Sequence, residues 1–283
     1  MTKLEFNPDG SIKIPMPAVP VVEARKEIDI ERCRKIAIQM VKDFKNKEGV
    51  FSKVTFPRNL VVPEGVEVGS NNHLLYLTLT VSLDYMRDAE ALWRQSYNAL
   101  KNNDLKWIFD PKEVLLRKQN NLIELFRIIK DRKPIKDSEI WFKICNSLKK
   151  FDFSVYEFLK GFDFDALRIS NYIADNKSDF PFLSGNKIKP LWLRMIDDTA
   201  LIKLKNIHYI PLPIDTHTAR LTLKIIYNEK FDGDITQNTR EKCQKAWEMI
   251  LKDSEVYPCL LDEPLWIIGK YNLLEKFMEE HGF

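Results

Sequence analysis

Phe180-Pro181-Phe182-Leu183-Ser184-Gly185-Asn186-Lys187-Ile188-Lys189-Pro190-Leu191-Trp192-Leu193-Arg194-Met195-Ile196 is the stretch on which the reading of this chain turns. An apolar helical pattern over about 164–176 precedes it. Ser184-Gly185 then marks a tight turn, and a second apolar helix follows. Asn186 is a natural N-cap, which makes Lys187 the first helical residue. Pro190 falls in the first helical turn, where its missing N–H costs little. The pattern predicts two helices joined by a short turn over about 164–197.

Two lysines follow that turn, and an amine there has a chemical use. The helix dipole disfavours a cation at a helix N-terminus, and Lys189 adds like charge beside Lys187. Both effects are expected to lower the Lys187 pKa, as a nucleophilic amine requires. The same pattern also fits two ordinary solvated lysines. Lys189 becomes the stronger candidate if the register of the turn is shifted.

Outward from this stretch the chain reads as almost entirely helical. Helices are expected near 28–44, 70–85, 88–102, 111–131, 137–149, 153–160, 187–197, 215–228, 237–252 and 262–280, with Gly49 ending the first. Breaks fall at Pro111, Pro134, Gly161, Pro211, Pro213, Gly233 and Pro258. Leu4 to Pro15 alternates apolar and polar residues about Asn7-Pro8-Asp9-Gly10, which predicts a small N-terminal β hairpin. The expected fold is mostly α, with residues 1–68 as an N-terminal hairpin, helix and extended segment, and 69–283 as a helical body.

Composition narrows the function. The chain has 283 residues, 45% of them apolar, so it can bury a sizeable core. No apolar run approaches the roughly 18–20 residues that span a bilayer. Met1 to Glu5 carries no apolar signal region, so a cytoplasmic protein with no membrane partner is expected. A net charge of +3 permits nucleic-acid binding without arguing for it. There is no P-loop and no Gly-x-Gly-x-x-Gly. Cys33, Cys145, Cys243 and Cys259 are far apart, which disfavours a zinc site or iron–sulfur cluster; no metal or organic cofactor is expected.

Downstream lies Pro213-Ile214-Asp215-Thr216-His217-Thr218-Ala219-Arg220, an extended approach to a helix that starts at an aspartate. Asp215 reads as a helix cap. It also follows Lys187 by 28 residues, and the ordered pair Gly185-x-Lys187 then Pro-Ile-Asp-Thr-His resembles the helix-hairpin-helix DNA glycosylase superfamily. The resemblance implies a turn whose backbone approaches a phosphate, a lyase lysine at Lys187 and a catalytic carboxylate at Asp215. Leu183 departs from it, standing where many members have a first glycine. Gly185, Asn186, Lys189, Arg194, His217 and Arg220 would lie near DNA, although His217 reads first as a cap or structural residue and Arg220 also fits a simple ion pair.

Two further segments are most like the archaeal 8-oxoguanine DNA glycosylase family (AGOG): Val81-Ser82 leading to Trp93, and Asp262-x-x-x-Trp266 near the C-terminus. In that family the tryptophans sandwich the flipped base and the aspartate bonds its edge, so Trp93, Trp266 and Asp262 are the expected base pocket. Asp262 and Trp266 share a helix face by their spacing. Trp107, Trp141, Trp192 and Trp247 are left to the core or surface. The resemblance implies a monomeric base-excision repair enzyme that binds double-stranded DNA with a damaged base and removes 8-oxoguanine through a lysine Schiff base. Two alternatives stand beside it: an N-glycosidase acting on a modified nucleoside or RNA, and a non-catalytic nucleic-acid-binding protein.

Overall fold

The computed structural model describes residues 28–283 apart from 55, 86 and 130. The β hairpin expected at 4–15, with the proline connector after it, lies outside the described residues. Within them the fold is helical: α1 (Ile30–Asn46), α2 (Arg58–Val61), α3 (Asn71–Ser82), α4 (Ala89–Lys101), α5 (Pro111–Ile128), α6 (Pro134–Leu148), α7 (Val155–Gly161), α8 (Ala166–Asp175), α9 (Ile188–Asp198), α10 (Thr216–Tyr227), α11 (Gln237–Ile250), α12 (Asp262–Lys270) and α13 (Leu274–His281). Among the described residues there is no strand, only a single parallel bridge between Asp165 and Lys205.

Short polar side chains set where these helices begin. Asp29, Ser70, Asp88, Asp110, Ser154, Asp165, Asp215 and Thr236 each accept a hydrogen bond from a first-turn N–H. Three details differ from the sequence expectation. The left-handed residue that ends α1 is Lys47 (φ 58°), two positions before Gly49. Lys118 (φ 66°) interrupts α5. The single helix expected over 262–280 is two, α12 and α13, broken by left-handed Asn272 (φ 57°).

The apolar side chains gather into two cores. One is built from α3 to α9 with the segment to Ile210. The other joins α1 (Cys33, Ile36, Ala37, Met40, Val41) to α10, α11, α12 and α13. Helix α1, grouped by sequence with the N-terminal segment, therefore packs with the C-terminal helices. The four cysteines are unpaired and buried. No described helix is long and apolar enough to cross a membrane.

Helix α3 is the axis of the first core. Every residue from His73 to Ser82 is buried, as an all-round apolar helix should be. Its internal hydroxyls are satisfied locally: Thr78, Thr80 and Ser82 donate to the carbonyls of Leu74, Tyr76 and Leu79. Helix α9 packs against α3, and the fully buried Trp192 donates its Nε1–H to Thr78 Oγ1 at 3.0 Å. That contact fixes the helix after the Ser-Gly turn against the helix that ends beside Asp84. Truncation of Trp192 to Ala should destabilise the protein by about 3–5 kcal/mol, from lost burial and the cavity left behind. Chemical denaturation measures it, and a loss under about 1 kcal/mol would show that the α3–α9 seam is not a principal support.

Candidate active site

A cleft of about 680 Å³ opens between the two cores. Its lining includes Lys187, Asp215, Asp262, Trp93 and Trp266, contributed by four different parts of the chain. The volume suits a ligand of nucleoside size.

The turn that delivers Lys187 is built differently from expectation. Phe182 takes the left-handed conformation (φ 62°), while Gly185 is needed for space: a β-carbon there would stand 3.0 Å from the Phe182 carbonyl oxygen. Leu183, in place of a first glycine, is buried in the core and anchors the turn. The Gly185 N–H donates to that same Phe182 carbonyl at 2.8 Å. Asn186 is exposed and does not cap the helix; Lys187 itself occupies the N-cap position, with no side-chain cap. Pro190 sits in the first turn of α9, as expected.

The two lysines separate clearly. Lys187 lines the cleft and donates from Nζ to Asp84 Oδ2 at 3.0 Å. Lys189 turns away, and its Nζ donates to the Ser170 carbonyl of α8 at 3.2 Å. Their ionisation reverses the sequence expectation. Burial pulls Lys187 down, but the carboxylates of Asp84, Asp215 and Asp262 outweigh it, and the amine is held above the ordinary lysine range. Lys189 is the one depressed, by burial and by Lys177. The sequence argument counted the helix end and the neighbouring lysine, and missed the carboxylates brought by other helices.

Asp215 caps α10, its Oδ1 accepting from the Thr218 N–H at 2.8 Å, and also faces the cleft. The cap fixes the carboxylate without removing it from the site. His217, two residues on, lines the cleft and is pressed against α12 at Gly269. A β-carbon on Gly269 would meet His217 Cβ and its carbonyl oxygen, each at 3.1 Å. The glycine therefore lets α12 approach the start of α10, and α12 carries Asp262 and Trp266 on one face. Arg220 is exposed on α10.

Arg194 was expected near phosphate, and the structure places it elsewhere. It is buried, with Nε 2.8 Å from Asp262 Oδ2, one terminal nitrogen 2.7 Å from Asp198, and Glu263 at 3.6 Å. Its guanidinium is committed to carboxylates inside the cleft wall. Burial pushes the Asp262 carboxyl up to about 6, opposed by Arg194 and reinforced by Asp215.

The aromatic part of the cleft holds a residue the sequence did not single out. Trp93 is buried against Tyr76 (centroids 5.8 Å), and Trp266 is half-buried beneath the Lys270 ammonium at 4.5 Å. Phe56 stands between them, 6.4 Å from Trp93 and 6.0 Å from Trp266, steeply inclined to both. Trp141, Trp192 and Trp247 are core residues, and Trp107 is half-buried under Arg117. Asp84 and Phe56 are the two site residues that sequence reasoning passed over. Only the position of Asp84 just after the Val-Ser helix offered a signal. Arg87 also reaches the cleft, held by Asp131 at 2.8 Å and by Asp137. Among the described residues no group of three or more His, Cys, Asp or Glu side chains is arranged to hold a metal ion.

The Arg194–Asp262 pair yields a measurable consequence. Arg194→Ala leaves Asp262 buried without its partner, and stability should fall by about 3–5 kcal/mol at neutral pH. The Asp262 carboxyl is already raised above its unfolded value, so ionisation opposes folding as pH rises through the unfolded pKa. Without Arg194 that penalty grows, and the gap between variant and parent should narrow as pH falls towards 5. Thermal melts across pH measure it; a gap independent of pH would mean that lost packing, and not an orphaned charge, dominates.

The comparisons with known proteins bear on the last third of the chain. The family model described as AGOG, N-glycosylase/DNA lyase, matches residues 193–281. The matched segment contains Arg194, Asp215, His217, Arg220, Asp262 and Trp266, and begins after the Ser-Gly turn and Lys187. No curated protein and no solved structure matches the chain. The resemblance to the archaeal 8-oxoguanine glycosylase family therefore stands on residues 193–281, and the chain is an enzyme of the N-glycosylase/DNA lyase kind.

Proposed function

We propose that the cleft receives a damaged purine nucleotide, 8-oxoguanine, flipped from duplex DNA, and that Lys187 and Asp215 cleave its glycosidic bond. The observation that carries this is the Lys187 amine, 3.0 Å from Asp84, in one cleft with Asp215, Asp262, Trp93 and Trp266. In this reading α8, the turn and α9 form the helix-hairpin-helix. Gly185 and Asn186 at its tip approach a phosphate. Lys45, Lys47, Arg58 and Lys270 around the cleft add positive charge facing the strand, so binding weakens as salt rises. A flipped base loses its stacking and needs aromatic faces in exchange, which the tryptophans supply, while Asp262 meets its edge.

The resting amine is charged, so chemistry starts with a proton transfer. Lys187 gives up a proton to solvent, against the hold of the Asp84 carboxylate. The freed lone pair bonds to C1′ as the C1′–N9 bond breaks, and the departing pair leaves with the purine, which takes up a proton. Asp215 balances the positive charge that develops on the sugar and accepts a proton from the newly bonded nitrogen. The C1′–O4′ bond then breaks, O4′ takes up the proton held by Asp215, and the nitrogen lone pair closes an imine between Nζ and C1′. Loss of a C2′ proton then expels the 3′ phosphate by β-elimination.

Borohydride trapping on an 8-oxoguanine duplex tests the reading. A covalent adduct should form with wild type and with Lys189→Ala, and vanish with Lys187→Ala. Asp215→Asn should slow base release by about 10²–10⁴-fold. Base release without an adduct in wild type would make the enzyme monofunctional and Lys187 a positioning residue. Equal turnover of the free nucleoside would favour the nucleoside N-glycosidase instead. No release from either would remove 8-oxoguanine as substrate.

The pH dependence follows from the raised amine. Adduct formation should climb with pH from about 6 towards 10, because only the neutral amine attacks. Asp84→Asn removes the nearest carboxylate and should shift that climb to lower pH. A wild-type rate already level at neutral pH would contradict an amine held in its charged form.

A further inference from the structure

We propose that Phe56 is a specificity-determining residue of the base pocket: its ring fills the slot between Trp93 and Trp266 in the free enzyme, and an entering base must displace it. The inference rests on the base-pocket reading above and adds an occupant to it. Both tryptophans have a neighbour of their own, Tyr76 for Trp93 and Lys270 for Trp266, and the ring they share is Phe56. A base sandwiched by two indoles needs parallel faces on both sides. Phe56 meets them at 74° and 65°, in edge contacts. It holds the space without stacking on either face.

The backbone suits a displaceable ring. Phe56 lies outside any helix, two residues before α2 begins at Arg58, and is only half-buried. Pro57 follows and keeps the residue before it out of the helical region, so the ring projects from extended chain rather than from a rigid helix. The neighbouring cleft residues Arg58, Val61 and Val62 belong to α2 and its end, so Phe56 and the cleft wall are continuous.

Displacement makes entry selective. A purine that stacks between the indoles gains more aromatic contact than Phe56 gives up. A nucleotide that presents less stacking surface, or lacks the edge group that Asp262 can bond, does not recover the loss. A sugar with no base needs no displacement at all. The ring thus sets a threshold that only a well-matched base crosses.

Binding of three duplexes, carrying 8-oxoguanine, guanine or a tetrahydrofuran baseless site, tests this with wild type, Phe56→Ala, Phe56→Leu and Phe56→Trp. Removing the ring should tighten binding of the base-bearing duplexes roughly tenfold, about the worth of one aromatic pair, and leave the baseless duplex unchanged. Phe56→Trp should weaken the base-bearing duplexes alone. Unchanged affinity for the baseless duplex also reports that each variant is folded. Weaker binding of base-bearing duplexes by both Phe56→Ala and Phe56→Leu would overturn the proposal and make Phe56 a fixed wall of the pocket. An equal change on all three duplexes would also overturn it. The substrate reading fails separately, through a wild type that does not prefer 8-oxoguanine to guanine, while the contrast between base-bearing and baseless duplexes still reads Phe56.

Discussion

Charge balance inside one cleft constrains everything around it. Two cations, Lys187 and Arg194, stand with the carboxylates of Asp84, Asp215, Asp262, Glu263 and Asp198 around one cleft, Arg194, Asp84 and Asp262 of them buried. A buried charge without a partner costs several kcal/mol, so each group fixes the others. Arg194 draws the Asp262 carboxyl back down against the burial that raises it. Asp84 and its neighbours keep Lys187 charged despite the burial that would neutralise it. These groups come from the end of α3, from α9, from the cap of α10 and from the first turn of α12. The cleft therefore exists only when both cores are assembled and in register.

The two cores serve that register by different means. On one side, α3 and α9 are locked by burial and by the Trp192–Thr78 hydrogen bond, which sets Asp84 and Lys187 a hydrogen bond apart. On the other, Gly269 allows α12 to close on the start of α10, bringing Trp266 and Asp262 towards Asp215. Arg194 then crosses from α9 to α12 and ties the halves together through its hydrogen bond to Asp262. A single side chain thus couples the helix that carries the amine to the helix that carries the pocket aspartate. Its place in the cleft wall is more informative than a surface phosphate contact would have been.

How much of this was legible in sequence depends on range. The helical body, the turn before Lys187, the capping of α10 by Asp215 and the shared face of Asp262 and Trp266 are local patterns, and the residues involved are within a turn or two of one another. The Lys187–Asp84 pair spans 103 positions and the Arg194–Asp262 pair 68, and no periodicity encodes either. Arg194 reads as a surface cation because arginine usually is one; only the fold reveals three carboxylates around it. The pKa direction at Lys187 failed for the same reason. Helix dipole and neighbouring lysine are sequence-local effects, and tertiary carboxylates overrode them.

An amine kept charged at rest has a consequence for how such a site avoids unwanted chemistry. A neutral lysine in a cleft would be available to any electrophile that entered. Under the proposed function, the Asp84 carboxylate holds that proton in the free enzyme, and the positive charge that builds on a sugar beside Asp215 favours its loss. In the proposed reading the aromatic slot adds a second condition for a nucleotide that still carries its base, which must occupy the space between Trp93 and Trp266. Charge state and stacking are then two independent tests on the same nucleotide. In that reading one is applied at C1′ and the other at the base, so an intact nucleotide has to satisfy both.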